Sequence, residues 1–238
     1  MTTSISKRLR EIARFVTEEN ILADVGTDHG YVPIYLVKNK KISHAIAMDV
    51  RKGPLEKAKE NIQKEHLEDK IETRLSDGLQ KLKEKEAETI LIAGMGGSLV
   101  IKILTEGNTV AKTAKELVLS PQSEIAQVRH FLEEHGYKVI AEKTIYEEEK
   151  YYTVMKAVNG CDQYKEECFY SYGKVEVQED IETYLRYLHA ELEKMTSIEE
   201  KLYKAGQEQA NVQARIEEIK EKKQQLLKVI ECAKEAKK

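Results

Sequence analysis

The chain has 238 residues, of which 41% are hydrophobic and 34% charged, with a formal net charge of −3. The length allows one large domain with a good core, or one domain plus an appendage. A charged share above the ~25% of ordinary domains predicts a long solvated helical part, and the near-neutral total does not by itself announce a nucleic-acid partner. Cys161, Cys168 and Cys232 fall at no metal-ligand spacing and read as reduced thiols, so no metal is expected. The first residues lack the apolar core of a signal peptide, and no apolar run approaches the ~20 residues of a membrane span. A soluble, cytoplasmic protein with no membrane partner is expected.

In chain order, Ser4 or Ser6 caps a first helix running to about Val16, with Leu9, Ile12, Ala13 and Val16 as its apolar stripe. Lys7, Arg8, Arg10 and Arg14 lie largely on its other side, either as a solvated face or as a phosphate-contacting patch. A strand over Ile21 to Val25 leads into Gly-Thr-Asp-His-Gly and a helix from about Tyr31 to Lys40 with Pro33 in its first turn. Strands follow at His44 to Asp49, Ile71 to Leu75, Thr89 to Ala93 and Leu117 to Leu119. Helices lie between them, starting at Gly53-Pro54, after Gly94-Met95-Gly96-Gly97, and near Ser123; the last stops at Gly136. Two longer strands, Lys138 to Tyr146 and Tyr151 to Val158, flank an acidic hairpin.

Strands alternating with helices give a parallel α/β sheet, and the closing hairpin adds an antiparallel strand. This Rossmann-like arrangement resembles class I methyltransferases. Residues 1–160 are expected to form that domain, 161–176 a polar connector, and 177–238 a helical coiled-coil arm. Apolar residues in the arm recur at steps of three and four, from Ile181, Leu185, Leu188, Leu192 and Met195 through Leu202 and Ala205 to Ile230 and Ala233. One helix could not bury that stripe, so a fold-back pair is expected, turning at Thr196-Ser197 or at Gly206. Such a fold-back favours a monomer; a coiled-coil dimer is the alternative. Arg215 to Lys238 carries eight bases against five acids.

In an open parallel sheet, ligands sit beyond the C-terminal ends of the strands. Four aspartates fall there: Asp24 and Asp28 at the first strand, Asp49 at the second, and Asp77 after the third. Asp49 lies 19 residues past Gly30, the reach of a carboxylate that takes a ribose diol. Asp77 would read an adenine edge. A dinucleotide would bring its pyrophosphate against Asp28, which at an effective dielectric of ~20 costs several kcal/mol. S-adenosyl-L-methionine carries a sulfonium and an ammonium and no phosphate, so Asp24 and Asp28 suit it. The bland alternative makes these aspartates turn and cap residues. The Gly94–Gly97 tetrad would let backbone approach the cofactor or a flat base, or is only a tight turn. Gln122 is a second candidate for base contact.

These residues resemble a known family, the bacterial tRNA (adenine(22)-N(1))-methyltransferases. The resemblance rests on Ile5 to Val16, Asp24 to Pro33, Met48-Asp49, Ser76-Asp77-Gly78 and Ala93 to Gly97, and extends to the order of elements and the coiled coil. It implies methyl transfer from S-adenosyl-L-methionine to N1 of a tRNA adenine in the D-arm region. With the strand-end reading, the cofactor is expected against Asp24, Gly26, Asp28, His29, Tyr31, Asp49, Asp77, Gly78, Gly94, Met95 and Gly96. Lys7, Arg8, Arg10, Arg14, Gly97, Pro121 and Gln122 would hold the tRNA, and Asp28 and His29 are the catalytic candidates. The family often has Gln-Pro-Asn where this chain has Ser120-Pro121-Gln122. A methyltransferase for another RNA, a protein or a small molecule, or a non-catalytic scaffold with a docking arm, are the other readings.

Overall fold

The computed structural model describes residues 5–204 and 210–237. Its contacts divide the chain into two units, Met1–Asp162 and Gln163–Lys238. Ser4, Ala205 and Gly206, which the sequence reading used as cap, seam and turn, lie outside the described residues.

The first unit begins with α1 (Lys7–Phe15), whose N-terminus is closed by Ser6: its Oγ accepts from the Leu9 N–H at 3.2 Å. The strands are β1 (Leu22–Val25), β2 (Ala45–Asp49), β3 (Ile71–Leu75), β4 (Thr89–Ala93), β5 (Glu116–Ser120), β6 (Tyr137–Glu147) and β7 (Lys150–Asn159). Between them come α2 (Tyr31–Lys38), α3 (Lys52–Lys64), α4 (Gly97–Glu106), the short α5 (Asn108–Ala111) and α6 (Ile125–Glu134). One seven-stranded sheet results, in the order β3-β2-β1-β4-β5-β7-β6. β7 runs antiparallel to β5 and to β6; every other pairing is parallel.

β1, β2 and β5 are buried at every position because helices cover both faces, the condition under which a parallel strand reads as an unbroken apolar run. The chain order reverses between β1 and β4, so the helices after these two strands leave to opposite faces and open a crevice at the strand ends. α1 runs against the strands. Arg8 and Leu9 lie at the crevice, while Thr17, just past the helix, bonds Glu116 at the start of β5 through N–H and hydroxyl, at 2.8 and 2.6 Å.

The second unit holds α7 (Glu167–Tyr172), a single 3₁₀ turn at Val175–Val177, α8 (Ile181–Lys204) and α9 (Ala210–Ala236). Asp180 caps α8, accepting from the Thr183 N–H at 2.9 Å and its hydroxyl at 2.8 Å. α8 and α9 form an antiparallel pair. Tyr184 and Leu188 pack with Leu226, Val229, Ile230 and Ala233, and Lys223 reaches Glu199 at 2.7 Å further along. α8 continues through Thr196 and Ser197, which corrects the turn expected there: the phase slip near Met195 is absorbed within one helix, the Thr196 hydroxyl bonding back to the Leu192 carbonyl at 2.9 Å. Residues 161–176, read from the sequence as a connector, carry α7 and bury Cys168, Tyr172 and Val175 in the arm's own core. No described helix is long and apolar enough to cross a membrane.

Candidate active site

The crevice is built from the end of β1. The N–H groups of Gly26 and Thr27 both donate to the Met48 carbonyl at 2.8 Å, which turns the chain over the end of β2. Gly26 takes φ +76° in this turn, and a Cβ there would overlap the Met95 side chain. His29 and Gly30 follow at φ +60° and +70°, and α2 starts from this left-handed pair. Asn61 of α3 pins the loop by donating to the His29 carbonyl at 2.9 Å.

Three carboxylates meet here. Asp24 is only 6% exposed, and burial is the largest influence on it, pushing its carboxyl up to about 6. The Thr27 hydroxyl, donating at 2.6 Å, opposes that rise; the charges of Asp49 and Asp28 add to it. Asp49 is buried at the end of β2, and its Oδ1 accepts from the Arg51 N–H at 2.7 Å. Asp28 is exposed, 2.5 Å from His29 Nδ1, although that oxygen lies off the ring N–H direction. Burial is the main cause of that rise, with the neighbouring carboxylates adding to it, and a cationic ligand beside Asp24 favours its ionised form.

A cavity of about 340 Å³ spans these groups. Asp24, Gly26, Asp28, Tyr31, Asp49, Gly94 and Met95 line it, together with Arg8 and Gln122. A second, of about 210 Å³, continues past Met95 to Ser76, Asp77 and Gly78, sharing Gly26, Asp49, Arg51 and Met95 with the first. The four aspartates predicted from the strand ends therefore do converge on one crevice.

Other predicted residues lie elsewhere. His29 lines neither cavity; its ring stacks on Tyr31 with centroids 5.3 Å apart. Gly96 and Pro121 also lie outside both linings. Gly97 faces the 123–124 turn: a Cβ there would come within 2.7 Å of the Ser123 carbonyl oxygen, so its smallness serves packing between loops. The same turn supplies Glu124, which caps α4 by accepting from the Ser98 N–H and hydroxyl at 2.9 and 2.7 Å. Gln122 N–H donates to the Met95 carbonyl at 2.8 Å, leaving its exposed side chain at the cavity.

Of the basic residues on α1, Arg8 alone reaches the cavity. Lys7 donates to the Tyr146 carbonyl at 3.1 Å; Arg10 is exposed, and Arg14, paired with Glu11 at 3.5 Å, lies near Lys40 and Lys41 just past the end of α2. Sequence reasoning missed Arg51, whose only signal was its place two residues after Asp49, and the apolar lining from Leu9, Val32, Val50 and Leu99. No group of three or more metal-binding side chains is gathered among the described residues.

Comparison with known proteins agrees with this geometry. Residues 5–155 match the family described as "Methyltransferase domain". A Bacillus subtilis tRNA (adenine(22)-N(1))-methyltransferase is 38% identical over 156 residues, which are 66% of this chain and 66% of that protein. The crystal structure of the B. subtilis m1A22 tRNA methyltransferase superposes with a TM-score of 0.83 at 31% identity, covering 95% of this chain and 99% of that one. The Mycoplasma capricolum homologue, solved with S-adenosyl-homocysteine, superposes at 0.82 with 28% identity, covering 95% and 98%.

Proposed function

The chain belongs to the bacterial tRNA (adenine(22)-N(1))-methyltransferase family, and from that premise we propose that it methylates N1 of an adenine in tRNA, with S-adenosyl-L-methionine as donor. The observation that carries the reading is the buried Asp24, its proton affinity raised, beside Asp28 and Asp49 at the strand ends. The residues fit the donor: carboxylates for its positive groups, Asp49 for a ribose diol, and a glycine turn at Gly26 that a larger residue would close. When bound, S-adenosyl-L-methionine supplies a methyl group on a positively charged sulfur.

The chain's own work is then positioning. Adenine N1 offers its own lone pair, so no base is needed to make it nucleophilic. In a duplex that nitrogen is paired, so the base must be unpaired or flipped out to enter the crevice. Gln122, exposed at the cavity, would hydrogen-bond the base. Methylation leaves the base cationic, and Asp28, exposed at the mouth, stabilises that charge or accepts the proton from the exocyclic amine. His29 lies outside the cavity, beside Asp28.

Transfer of tritiated methyl groups into bulk tRNA lacking the modification, followed by nucleoside analysis, tests the reading. Label in N1-methyladenosine is the expected result; label in another nucleoside, or in protein alone, overturns it.

Proton linkage gives a separate check. With the Asp24 carboxyl near 6 in the free protein, a cation that favours its ionised form binds more tightly as pH rises through 6, and binding expels the proton held below it. Calorimetry at pH 6 in buffers of different ionisation enthalpy should show release of roughly half a proton per donor molecule, vanishing by pH 8. An equal heat in all buffers at pH 6 would contradict the placement of the cation beside Asp24.

A further inference from the structure

The floor of the crevice is acidic, but its rim is not. The chain has eight arginines, and most of them spend their guanidinium groups on other side chains. Arg74 is held between Glu72 and Glu86, Arg129 is buried against Glu142, and Arg14, Arg186 and Arg215 each bond a neighbour on their own helix. Two others line the 340 Å³ cavity, and their guanidinium groups make no hydrogen bond among the described residues. The Arg8 guanidinium lies over the Tyr152 ring, its Cζ 4.9 Å from the centroid, and its helix is fixed there by the Arg8 N–H donating to Glu147 at 3.1 Å. A cation–π contact of this kind uses none of the guanidinium's five N–H groups. Arg51 is 73% exposed and stands 3.6 Å from Asp49, near enough to be oriented by that charge and too far for a hydrogen bond.

The two come from different halves of the sheet. Arg51 follows β2, whereas α1, which carries Arg8, packs on the β6–β7 hairpin; β1 and β4, whose loops make the floor, lie between. Planar donor forks on either side of a crevice mouth match the oxygens of phosphodiesters, which they bind in bidentate fashion. A nucleotide extruded into the crevice must leave its own phosphates at the mouth, because the aspartates of the floor repel them.

We propose that Arg8 and Arg51 form a two-sided clamp on the phosphates flanking the target adenosine, so that an acidic floor takes the methyl donor and a basic rim takes the RNA backbone. This rests on the function proposed above and deepens it by assigning which residues grip the polyanion. The clamp also accounts for substrate size: a free adenine or adenosine has no phosphates to engage the rim.

The test uses the full-length protein and unmodified tRNA transcript, with Arg51→Ala, Arg8→Ala and the lysine variants of both. Each alanine variant should raise the KM for tRNA about tenfold, with donor affinity by calorimetry unchanged within twofold. Each should also make the log–log salt dependence of tRNA binding shallower by roughly one unit. Lysine should restore the salt slope but only part of the KM, since it keeps the charge and loses the fork. Arg51 is exposed, so Arg51→Ala remains informative if Arg8→Ala loosens α1. An unchanged KM and slope in Arg51→Ala would overturn the clamp. So would a fall in donor affinity with the salt slope intact, which would assign the arginines to the donor's carboxylate instead. Failure of the parent protein to methylate tRNA at all would instead sink the underlying reading, whatever the variants do.

Discussion

Asp24→Asn should stabilise the ligand-free protein while weakening S-adenosyl-L-methionine binding at least tenfold. The two effects share one cause. In the unfolded chain this carboxyl titrates near 3.8; in the fold, burial and the neighbouring charges of Asp49 and Asp28 push it up to about 6. Above pH 6 the folded protein therefore holds an ionised group that water would hold more comfortably. At 1.36 kcal/mol per unit, the cost to the empty fold is about 3 kcal/mol. The sign follows from linkage. Between about pH 4 and 6 the folded state binds a proton that the unfolded state has released, so this group's contribution to stability falls as pH rises through that window and stays low above it. Asparagine removes the charge, keeps an oxygen to accept from Thr27, and should flatten that part of the pH–stability curve. The same substitution deprives a cationic donor of its most deeply buried counter-charge, a loss in the range of a charged hydrogen bond, about 1.5–3 kcal/mol. Urea melts of the ligand-free variant and calorimetric titration read the two halves independently. A destabilised variant, or one with unchanged donor affinity, would contradict this account. The trade between stability and activity is the usual mark of a site strained for its ligand.

The largest loss of stability is expected away from the crevice, at Glu142→Ala. Arg129 of α6 and Glu142 of β6 are both buried, with Arg129 Nε donating to Glu142 Oε2 at 3.2 Å and a second, shorter bond from Nη2 to Oε1. Such a pair adds little over a well-packed apolar pair, because each ion loses its hydration. Removing one partner is different: Arg129 would keep its buried charge and lose the two bonds to Glu142, and breaking a buried ion pair in this way costs about 3–5 kcal/mol. Replacing both residues with apolar side chains of similar volume should recover most of that loss. Equilibrium unfolding in urea measures all three proteins, and equal destabilisation in the single and double variants would show that packing, not charge, governs the position. Donor affinity in the folded fraction should not move, since neither residue lines the crevice.

Much of the first unit was legible because each element carries its own local signal. An apolar run placed β4 at its observed limits, Thr89–Ala93, and the turn residues Ser76-Asp77-Gly78 closed β3, a largely polar strand, at its observed limits, Ile71–Leu75. The site followed from topology: an aspartate at the end of a parallel strand has one crevice to face, whichever strand it ends. What sequence could not show is which way a side chain turns. Lys7, Arg8, Arg10 and Arg14 look alike as a basic helix face. Only the docking of α1 on the β6–β7 hairpin, with Tyr152 beneath Arg8, distinguishes the one that reaches the cavity. Gly97 looked like a surface for a flat base because a glycine run has no intrinsic direction; the backbone of Ser123 and Glu124 occupies its open side. α5 went unpredicted because four residues carry no helical period. In the arm, a slip in the apolar phase near Met195 mimics a turn, yet a helix without Gly or Pro tolerates it.

Calorimetric titration of the purified protein with S-adenosyl-L-methionine and, separately, with a pyrophosphate-bearing dinucleotide such as NAD tests the central claim most directly. The account predicts saturable binding of the first, weakening as pH falls below 6, and no measurable binding of the second at the same concentrations. Saturable binding of the dinucleotide, with indifference to the sulfonium donor, would contradict it.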